Sequence, residues 1–278
     1  MSDLHEDLVL ALALADAADA ITTARFRALD LRIEAKPDLT PVTDADRDTE
    51  SRLRELLAGA RPGDAIHGEE FADTGAADGS ARRWVIDPID GTKNFVRGVP
   101  VWASLIALMD GPDVIVGVVS APALGRRWWA SAGGGAWAST GSDDAVPCRV
   151  SAVSTLTDAS LSYSSLSGWE VRGLLPGFLD LTRVCWRTRA FGDFWSYVLL
   201  AEGTVDLAAE PEVALHDLAP LALIVSEAGG VFTDLTGRPG PAGGSALASN
   251  GLLHAAALAH LRPVPHTADH PDSSTGAA

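Results

Sequence analysis

The sequence predicts a mixed α and β protein, and three observations lead to this fold class. Residues 4–29 are rich in Ala and Leu and contain no Gly or Pro, which is typical of an amphipathic helix. Segments typical of strands then dominate residues 65–130. Beyond residue 160, short strand-like segments alternate with helical ones. Elements that each bury one face must pack in layers, so we expect a layered α+β chain.

In the first half, the residue pattern predicts a second helix and five strands. The helix begins near Thr43 or Asp44 and ends at about Ala60, where Arg61-Pro62-Gly63 stops it. The predicted strands cover residues 65–67, 84–86, 104–109, 114–119 and 127–130. Short turns separate the last two strands from their neighbours, so we expect antiparallel pairing there.

The second half predicts five further strands and three helices. The strands cover residues 160–163, 183–186, 205–209, 231–233 and 245–248. The helices cover residues 194–201, 215–228 and a last segment that Asn250 caps and that ends at about Leu261. Residues 263–278 show no periodicity and are predicted to be disordered. We expect a single domain over residues 1–262, with half-domains of about 1–150 and 151–262.

Composition and charge limit the functions that the chain can have. Its 278 residues carry 37 acidic and 21 basic side chains, a net charge of −16, which disfavours binding to a nucleic-acid backbone. The apolar run of residues 8–15 is too short to span a membrane and has acidic neighbours. Cys148 and Cys185 alone cannot make a disulfide framework or a zinc site, so we expect a reducing, cytoplasmic location without a membrane.

The strongest chemical motif is the segment Asp87-Pro88-Ile89-Asp90-Gly91-Thr92, which follows a buried-looking strand. We expect Pro88 to end that strand and Gly91 to let the backbone approach a ligand closely. Two carboxylates and a carbonyl on one turn suit a hard cation, although a plain surface turn is the alternative. An EF-hand loop is excluded because its twelfth position is Gly98, and the haloacid-dehalogenase pattern requires aspartates two apart instead of three.

Other acidic residues could join this turn. Glu69 follows a predicted strand, and adjacent strands with acidic ends would bring it beside Asp87, although paired glutamates are often simply solvated. Asp46 opens the second helix and Asp217 opens a later one, and either could be a helix-capping acid. We expect the remaining acids of the second helix, Asp48 and Glu50, to lie on the surface.

One glycine triplet, Gly133-Gly134-Gly135, predicts a turn. A phosphate-binding loop is the competing interpretation. It is disfavoured because no helix follows the triplet.

Three motifs in this order resemble those of the inositol monophosphatase family. They are Gly68-Glu69-Glu70, Asp87-Pro88-Ile89-Asp90-Gly91-Thr92, and His216-Asp217 followed by Glu227-Ala228-Gly229-Gly230. The resemblance covers roughly residues 5–262. His216 departs from the family pattern, in which a Trp usually precedes the aspartate.

The resemblance extends to the actinobacterial histidinol-phosphate phosphatases of this family. The segment DPIDGTKNFVRGVPVW at residues 87–102 is similar, with Lys93 where a Thr is more common. So is the segment Arg189-Ala190-Phe191-Gly192-Asp193-Phe194, with Asp193 where many members carry a small or hydroxyl residue. An added carboxylate suits a substrate that carries an ammonium group.

The resemblance implies an αβαβα sandwich and hydrolysis of a small phosphomonoester with two or three Mg²⁺ ions. The implied metal ligands are Glu69, Asp87, the carbonyl of Ile89, Asp90 and Asp217. The implied catalytic residues are Asp46, Thr92 and Glu69. The implied substrate contacts are Asp90, Gly91, Thr92, Lys93, Arg189, Asp193, Glu210 and Asp217. A homodimer is also implied.

The leading functional hypothesis is therefore hydrolysis of L-histidinol phosphate in histidine biosynthesis, which Lys93 and Asp193 favour. An inositol-1-monophosphatase, or a phosphatase with broader action on sugar and polyol phosphates, is the alternative. A metal-binding protein without catalysis is a third class, but Asp46 and Thr92 would then have no purpose.

Overall fold

The computed structural model describes residues 4–37, 39–75, 82–141 and 145–261. Its helices are α1 Leu4–Arg25, α2 Asp44–Ala60, α3 Thr92–Arg97, α4 Ser167–Val171, α5 Leu175–Val184, α6 Asp193–Ala201, α7 Leu215–Glu227 and α8 His254–Leu261. Its strands are β1 Ile33–Ala35, β2 Pro41–Thr43, β3 Ala65–Gly68, β4 Arg82–Asp90, β5 Ala103–Asp110, β6 Asp113–Ala121, β7 Arg126–Ser131, β8 Ala136–Thr140, β9 Val146–Pro147, β10 Ser160–Ser162, β11 Arg187–Arg189, β12 Leu207–Glu210, β13 Val231–Thr233 and β14 Ala246–Ser249.

The larger of the two main sheets has seven strands in the order β3-β4-β5-β6-β7-β8-β9. The pair β3 and β4 is parallel, and every other pair in this sheet is antiparallel. Helices α1 and α2 cover one face, where Leu14 and Leu53 pack with Trp84 and Ile106 in a fully buried cluster. Burying such apolar side chains supplies most of the favourable free energy of folding.

The second main sheet has five strands in the order β11-β10-β12-β14-β13. Helices α6 and α7 lie between the two sheets, and side chains such as Phe194 and Leu221 pack there with Trp128 of β7. Helices α4, α5 and α8 cover the outer face, where Trp169 stacks on Phe178. The layers follow the order α, β, α, β, α, which confirms the predicted sandwich.

Helix α7 approaches the seven-stranded sheet closely. A Cβ built on Gly117 of β6 would lie 2.9 Å from the Cα of Pro220, so only glycine allows this contact. The close contact fixes the height of α7 over the sheet, and with it the position of Asp217 in its first turn.

Most predicted elements occur, and three expectations about them are wrong. Strand β4 does not end at Pro88: it continues to Asp90, with a shift in its pairing to β5 between Asp87 and Asp90. A bulge absorbs the proline, since proline cannot donate to a regular ladder. The first helix ends at Arg25 instead of residue 29. Residues 183 and 184 end α5, and the strand begins only at Arg187.

The glycine triplet forms the predicted turn between β7 and β8. The N–H groups of Gly133 and Gly135 each donate to the Glu227 carboxylate at 2.8 Å. This loop therefore does hold an anion, but the anion is the protein's own side chain at the end of α7.

No helix in the described part of the chain combines the length and apolar character that a membrane crossing needs. The predicted disordered tail, residues 263–278, lies outside the described residues. The division into half-domains near residue 150 stays a prediction.

Candidate active site

The two aspartates at the end of β4 meet the aspartate at the start of α7. Oxygen atoms of Asp87, Asp90 and Asp217 all lie within 4.8 Å of one another. Backbone N–H groups aim each carboxylate: Ile89 N–H donates to Asp87 at 2.9 Å, and Ala214 N–H donates to Asp217 at 2.9 Å. Asp90 accepts from Phe194 N–H at 2.6 Å. Three of the predicted acids are therefore brought together by two elements, β4 and α7.

This cluster carries an excess of negative charge in a buried place. Burial, together with the charges of Glu69, Asp90 and Asp217, raises the pKa of Asp87 well above its usual value. Burial and the charges of Asp193 and Asp217 do the same for the pKa of Asp90. Like charges at this distance disfavour one another unless a cation lies between them. The donor set consists of carboxylate oxygens, which suits Mg²⁺ or another hard cation.

The parallel pairing of β3 and β4 brings Glu69 to the same edge of the sheet as Asp87, as expected. The Lys36 ammonium lies 2.7 Å from Glu69 Oε1 and 2.6 Å from Glu70 Oε1. Burial lowers the pKa of Lys36 and the two carboxylates raise it, and the carboxylates prevail. Sequence reasoning did not identify Lys36, which reaches the site from the loop between β1 and β2.

Asp46 is fully buried and lies beside Thr92. Its Oδ2 accepts from the backbone N–H of Thr43 at 2.8 Å and from the Thr43 hydroxyl at 2.6 Å, in a capping box at the start of α2. The Thr92 hydroxyl donates to Ile89 O at 2.9 Å and to Asp46 Oδ1 at 3.3 Å. Burial raises the pKa of Asp46 to about 6, against the Thr43 hydrogen bonds that lower it. Asp46 is thus a helix cap with a carboxyl pKa well above the ordinary value of an aspartate.

Gly91 makes the turn from β4 into α3 with a φ of +86°. A Cβ at Gly91 would lie 3.1 Å from Val101 O and 3.3 Å from the Asp193 carboxylate. Glycine therefore allows these two groups to lie close to the turn. The first N–H groups of a helix have no acceptor within it, so that of Thr92, next to Gly91, is available to an anion. The Lys93 side chain is exposed at the rim, and its charge opposes the rise in the pKa of Asp193.

Beyond the cluster, two further carboxylates converge from α6 and from β12 of the five-stranded sheet. Asp193 opens α6 with a φ of +48°, and Asn94 donates to its Oδ2 at 3.4 Å. Glu210 ends β12 and accepts from Tyr197 at 3.0 Å and from the Ser164 hydroxyl. Burial and the charge of Asp193 raise the pKa of Glu210 to about 8. Burial and the charge of Asp217 also raise the pKa of Asp193.

These groups surround a cleft of about 770 Å³ with an adjoining cavity of about 200 Å³. The cleft is lined by Glu69, Thr92, Lys93, Asp193 and Asp217, among others. The adjoining cavity is lined by Asp90, Asp193, Glu210 and Tyr197, among others. The turn at Gly91 and the acidic recess formed by Asp193 and Glu210 therefore open into one space.

Arg189 does not join the other predicted site residues. It lies exposed on β11 at the edge of the five-stranded sheet and donates to Thr188 O at 2.7 Å. It is absent from the described residues that line the cleft and the adjoining cavity.

Glu50, which we expected on the surface, is fully buried. It accepts from backbone N–H groups of the turn that carries Glu69. Its position four residues after Asp46 on α2 was the available signal. By contrast, Asp48 is exposed as expected.

The chain is similar in sequence to known proteins. Residues 3–266 match the model of the inositol monophosphatase family. The chain belongs to this family. It is 61% identical to the histidinol-phosphatase of Streptomyces coelicolor, over 94% of this chain and 98% of that protein. It is also 61% identical to the histidinol-phosphatase of Mycobacterium tuberculosis, over 92% of this chain and 98% of that one.

Solved structures support the fold. An inositol monophosphatase from Zymomonas mobilis superposes with a TM-score of 0.81 at 32% identity, over 94% of this chain and 99% of that one. Membership of the inositol monophosphatase family confirms the predicted resemblance and makes the chain a phosphatase. His216, which departs from the family pattern, lines the cleft, and its ring centroid lies 6.0 Å from that of His67.

Proposed function

We propose that the chain hydrolyses L-histidinol phosphate to L-histidinol and inorganic phosphate, as part of histidine biosynthesis. The observation that carries this proposal is the acidic recess of Asp193 and Glu210 next to the aspartate cluster. A substrate with a phosphate at one end and an ammonium group at the other matches a site with a carboxylate cluster that can hold cations and, beside it, an acidic recess. The two 61% identical relatives bear the name of this activity.

Glu69, Asp87, Asp90, Asp217 and the Ile89 carbonyl would hold two Mg²⁺ ions, with a third near Glu69 and Asp46. When bound, these ions supply charge neutralisation for the phosphate and lower the pKa of the attacking water. The rest of the reaction depends on the protein's own groups.

Asp46 and Thr92 are the proposed activating pair. Oγ1 of Thr92 would take a proton from the attacking water while its own proton passes to Asp46 Oδ1, along the contact that already exists. A base whose pKa lies near neutrality is well suited to this transfer. Thr43 holds the other oxygen of Asp46, so only one oxygen is directed at Thr92.

The remaining groups orient the substrate. The N–H groups of Gly91 and Thr92 would bind phosphate oxygens, with the Lys93 side chain at the rim. Asp193 and Glu210 would face the ammonium group, and that charge would keep both carboxylates ionised. Hydrolysis of phosphate monoesters is extremely slow without a catalyst, so orientation and charge stabilisation must provide the acceleration. Arg189 has no place in this arrangement within one chain.

Action on inositol phosphate or other polyol phosphates is the second candidate. Glu210 carries hydrogen bonds from Tyr197 and Ser164, and a carboxyl group with a pKa of about 8 can also bind hydroxyl groups. Asp193 argues against this candidate, because a polyol offers this buried carboxylate no positive charge of its own.

A substrate panel tests the proposal. Phosphate release would be measured with Mg²⁺ from L-histidinol phosphate, inositol 1-phosphate, a sugar phosphate and a simple alkyl phosphate. We expect the highest kcat/KM for L-histidinol phosphate. Faster turnover of inositol 1-phosphate would reject the assignment in favour of the second candidate. A cytoplasmic homodimer completes the proposal, and light scattering of the purified chain tests the dimer.

A further inference from the structure

We propose that Glu50 is a positioning residue that holds Glu69 at a fixed distance from Asp46. The inference rests on the proposed function for the role of Glu69 as a metal ligand. Glu50 lies in the middle of α2, and its side chain is fully buried. A buried carboxylate is costly unless its oxygens are fully hydrogen-bonded, so its partners indicate what it stabilises.

Those partners are the two residues that follow Glu69. Oε2 of Glu50 accepts from Glu70 N–H at 2.7 Å, and Oε1 accepts from Phe71 N–H at 3.3 Å. Within the described residues, Glu69, Glu70 and Phe71 belong to no strand, and the turn that they form is closed by a bridge between Ile66 and Thr74. The Glu50 carboxylate therefore fixes the backbone immediately after the proposed ligand.

Arg54 completes the contact one helical turn later. Its Nε donates to Glu50 Oε1 at 2.8 Å, and its Nη2 donates to Phe71 O at 3.1 Å. The guanidinium compensates the buried charge of Glu50 and binds the carbonyl of the same turn. Together the two side chains hold both an N–H and the C=O group of Phe71.

Gly68 is shaped to this carboxylate. A Cβ built on Gly68 would lie 1.9 Å from Glu50 Oε1 and 2.4 Å from Glu50 Cδ. Gly68 is not one of the described glycines with a positive φ, so its backbone conformation does not require glycine. A larger residue at Gly68 would instead displace the Glu50 carboxylate from its hydrogen bonds.

Helix α2 carries on one face both the proposed base and the two residues that hold the turn after Glu69. Asp46, Glu50 and Arg54 are spaced at i, i+4 and i+8, which places them on the same side of a helix. One rigid element thus sets the separation of Asp46 from Glu69. Groups that orient metal ligands typically change metal affinity 10- to 100-fold when they are lost.

The test compares Glu50→Gln with Asp48→Asn. Both changes remove one negative charge from α2, but Asp48 is exposed. The glutamine keeps the size of the side chain and replaces one acceptor oxygen with a donor that must face an N–H group. Mg²⁺ binding to the substrate-free protein would be measured by calorimetry, and protection of the Glu70 and Phe71 amides by hydrogen exchange.

We expect Glu50→Gln to weaken Mg²⁺ binding about 10-fold or more and to lose amide protection in the turn. Asp48→Asn should stay within about twofold of the wild type in Mg²⁺ affinity. Lost protection with unchanged Mg²⁺ affinity would overturn the proposal, because the contact would then be structural only. Unchanged protection would also overturn it.

Arg54→Gln decides the matter if Glu50→Gln does not fold. It removes the contact to Phe71 O and leaves the helix intact, so a smaller loss of both Mg²⁺ affinity and turn protection is expected. No loss of either would overturn the proposal. Both measurements omit substrate, so a failure to hydrolyse L-histidinol phosphate would reject the proposed function without deciding the role of Glu50.

Discussion

The Thr92 hydroxyl donates to Asp46 Oδ1 at 3.3 Å, although 46 positions of sequence separate the two residues. If this contact transfers the proton from water, Thr92→Val should lower kcat by about 10²- to 10⁴-fold with little change in stability. Thr92→Ser keeps the hydroxyl and should retain most of the activity. Steady-state kinetics with saturating Mg²⁺ measure both variants. A fully active Thr92→Val would remove Thr92 from the mechanism.

Asp193 is expected to select the substrate. Asparagine tolerates the positive φ at this position, so Asp193→Asn removes the charge and leaves the backbone undisturbed. A hydrogen bond to a charged group contributes about 1.5–3 kcal/mol, so kcat/KM for L-histidinol phosphate should fall roughly 10- to 100-fold. The kcat/KM for inositol 1-phosphate should fall far less. Equal losses for the two substrates would show that Asp193 does not recognise the ammonium group.

Asp90 is expected to be needed for the stabilisation of the folded protein by bound metal. Mg²⁺ at 100 times its Kd stabilises a protein by about 2.7 kcal/mol, so it should raise the Tm of the wild type. In Asp90→Asn this rise should be much smaller and turnover should be lost, while the metal-free variant should be more stable than the wild type because repulsion is relieved. Calorimetry with and without Mg²⁺ measures this. Asp113→Asn, at an exposed aspartate, is the control, and unchanged turnover in Asp90→Asn would reject the metal site.

Glu210 is expected to make the metal-free protein less stable as the pH rises. Its pKa is raised from an ordinary 4.5 to about 8 in the folded chain, so the folded state keeps a proton that the unfolded chain has lost. This contribution is fully present below about pH 4.5 and is lost as the pH rises through about 8. In the presence of a chelator, the fall in Tm between pH 5 and pH 8.5 should be smaller in Glu210→Gln. An identical pH dependence in variant and wild type would contradict the assigned pKa.

Glu227 is expected to contribute to stability alone. Glu227→Ala leaves the Gly133 and Gly135 N–H groups without their acceptor, and should lower the free energy of unfolding by about 1–2 kcal/mol. Urea unfolding measures the loss, with Ser226→Ala, a neighbouring exposed side chain, as the control. The kcat should change by less than about twofold. A large loss of kcat would instead connect the glycine loop to the site.

The predictable parts of the site are residues that are close in sequence or that lie at matching positions of adjacent strands. The aspartates at 87 and 90 are local to one turn. Glu69 directly follows β3, and Asp87 follows the β4 residue that pairs with Gly68, so their proximity follows from the pairing of adjacent strands. Asp217 required the resemblance, because nothing local distinguishes it from an ordinary acid in the first turn of a helix.

The failures have physical causes. A charged residue on a helix is solvated by default, and only the packing of the turn after β3 on α2 buries Glu50. Pro88 normally ends a strand, and only the bulge opposite β5 allows the strand to continue. Arg189 follows a local motif closely, but its strand lies at a sheet edge, where the side chain is exposed. In each case the deciding partner is distant in sequence.

The groups of the site fall into separate ranges of the sequence. Asp46, Glu69, Asp87 and Thr92 all precede residue 93, and Asp217 follows Glu210, the later of the two acids proposed to face the ammonium group. Ser164, Asp193, Tyr197 and Glu210 all fall between residues 160 and 210. Under the proposed function, exchanging that one segment between relatives would therefore change the preferred leaving alcohol, provided that Phe194, whose N–H donates to Asp90, keeps its place.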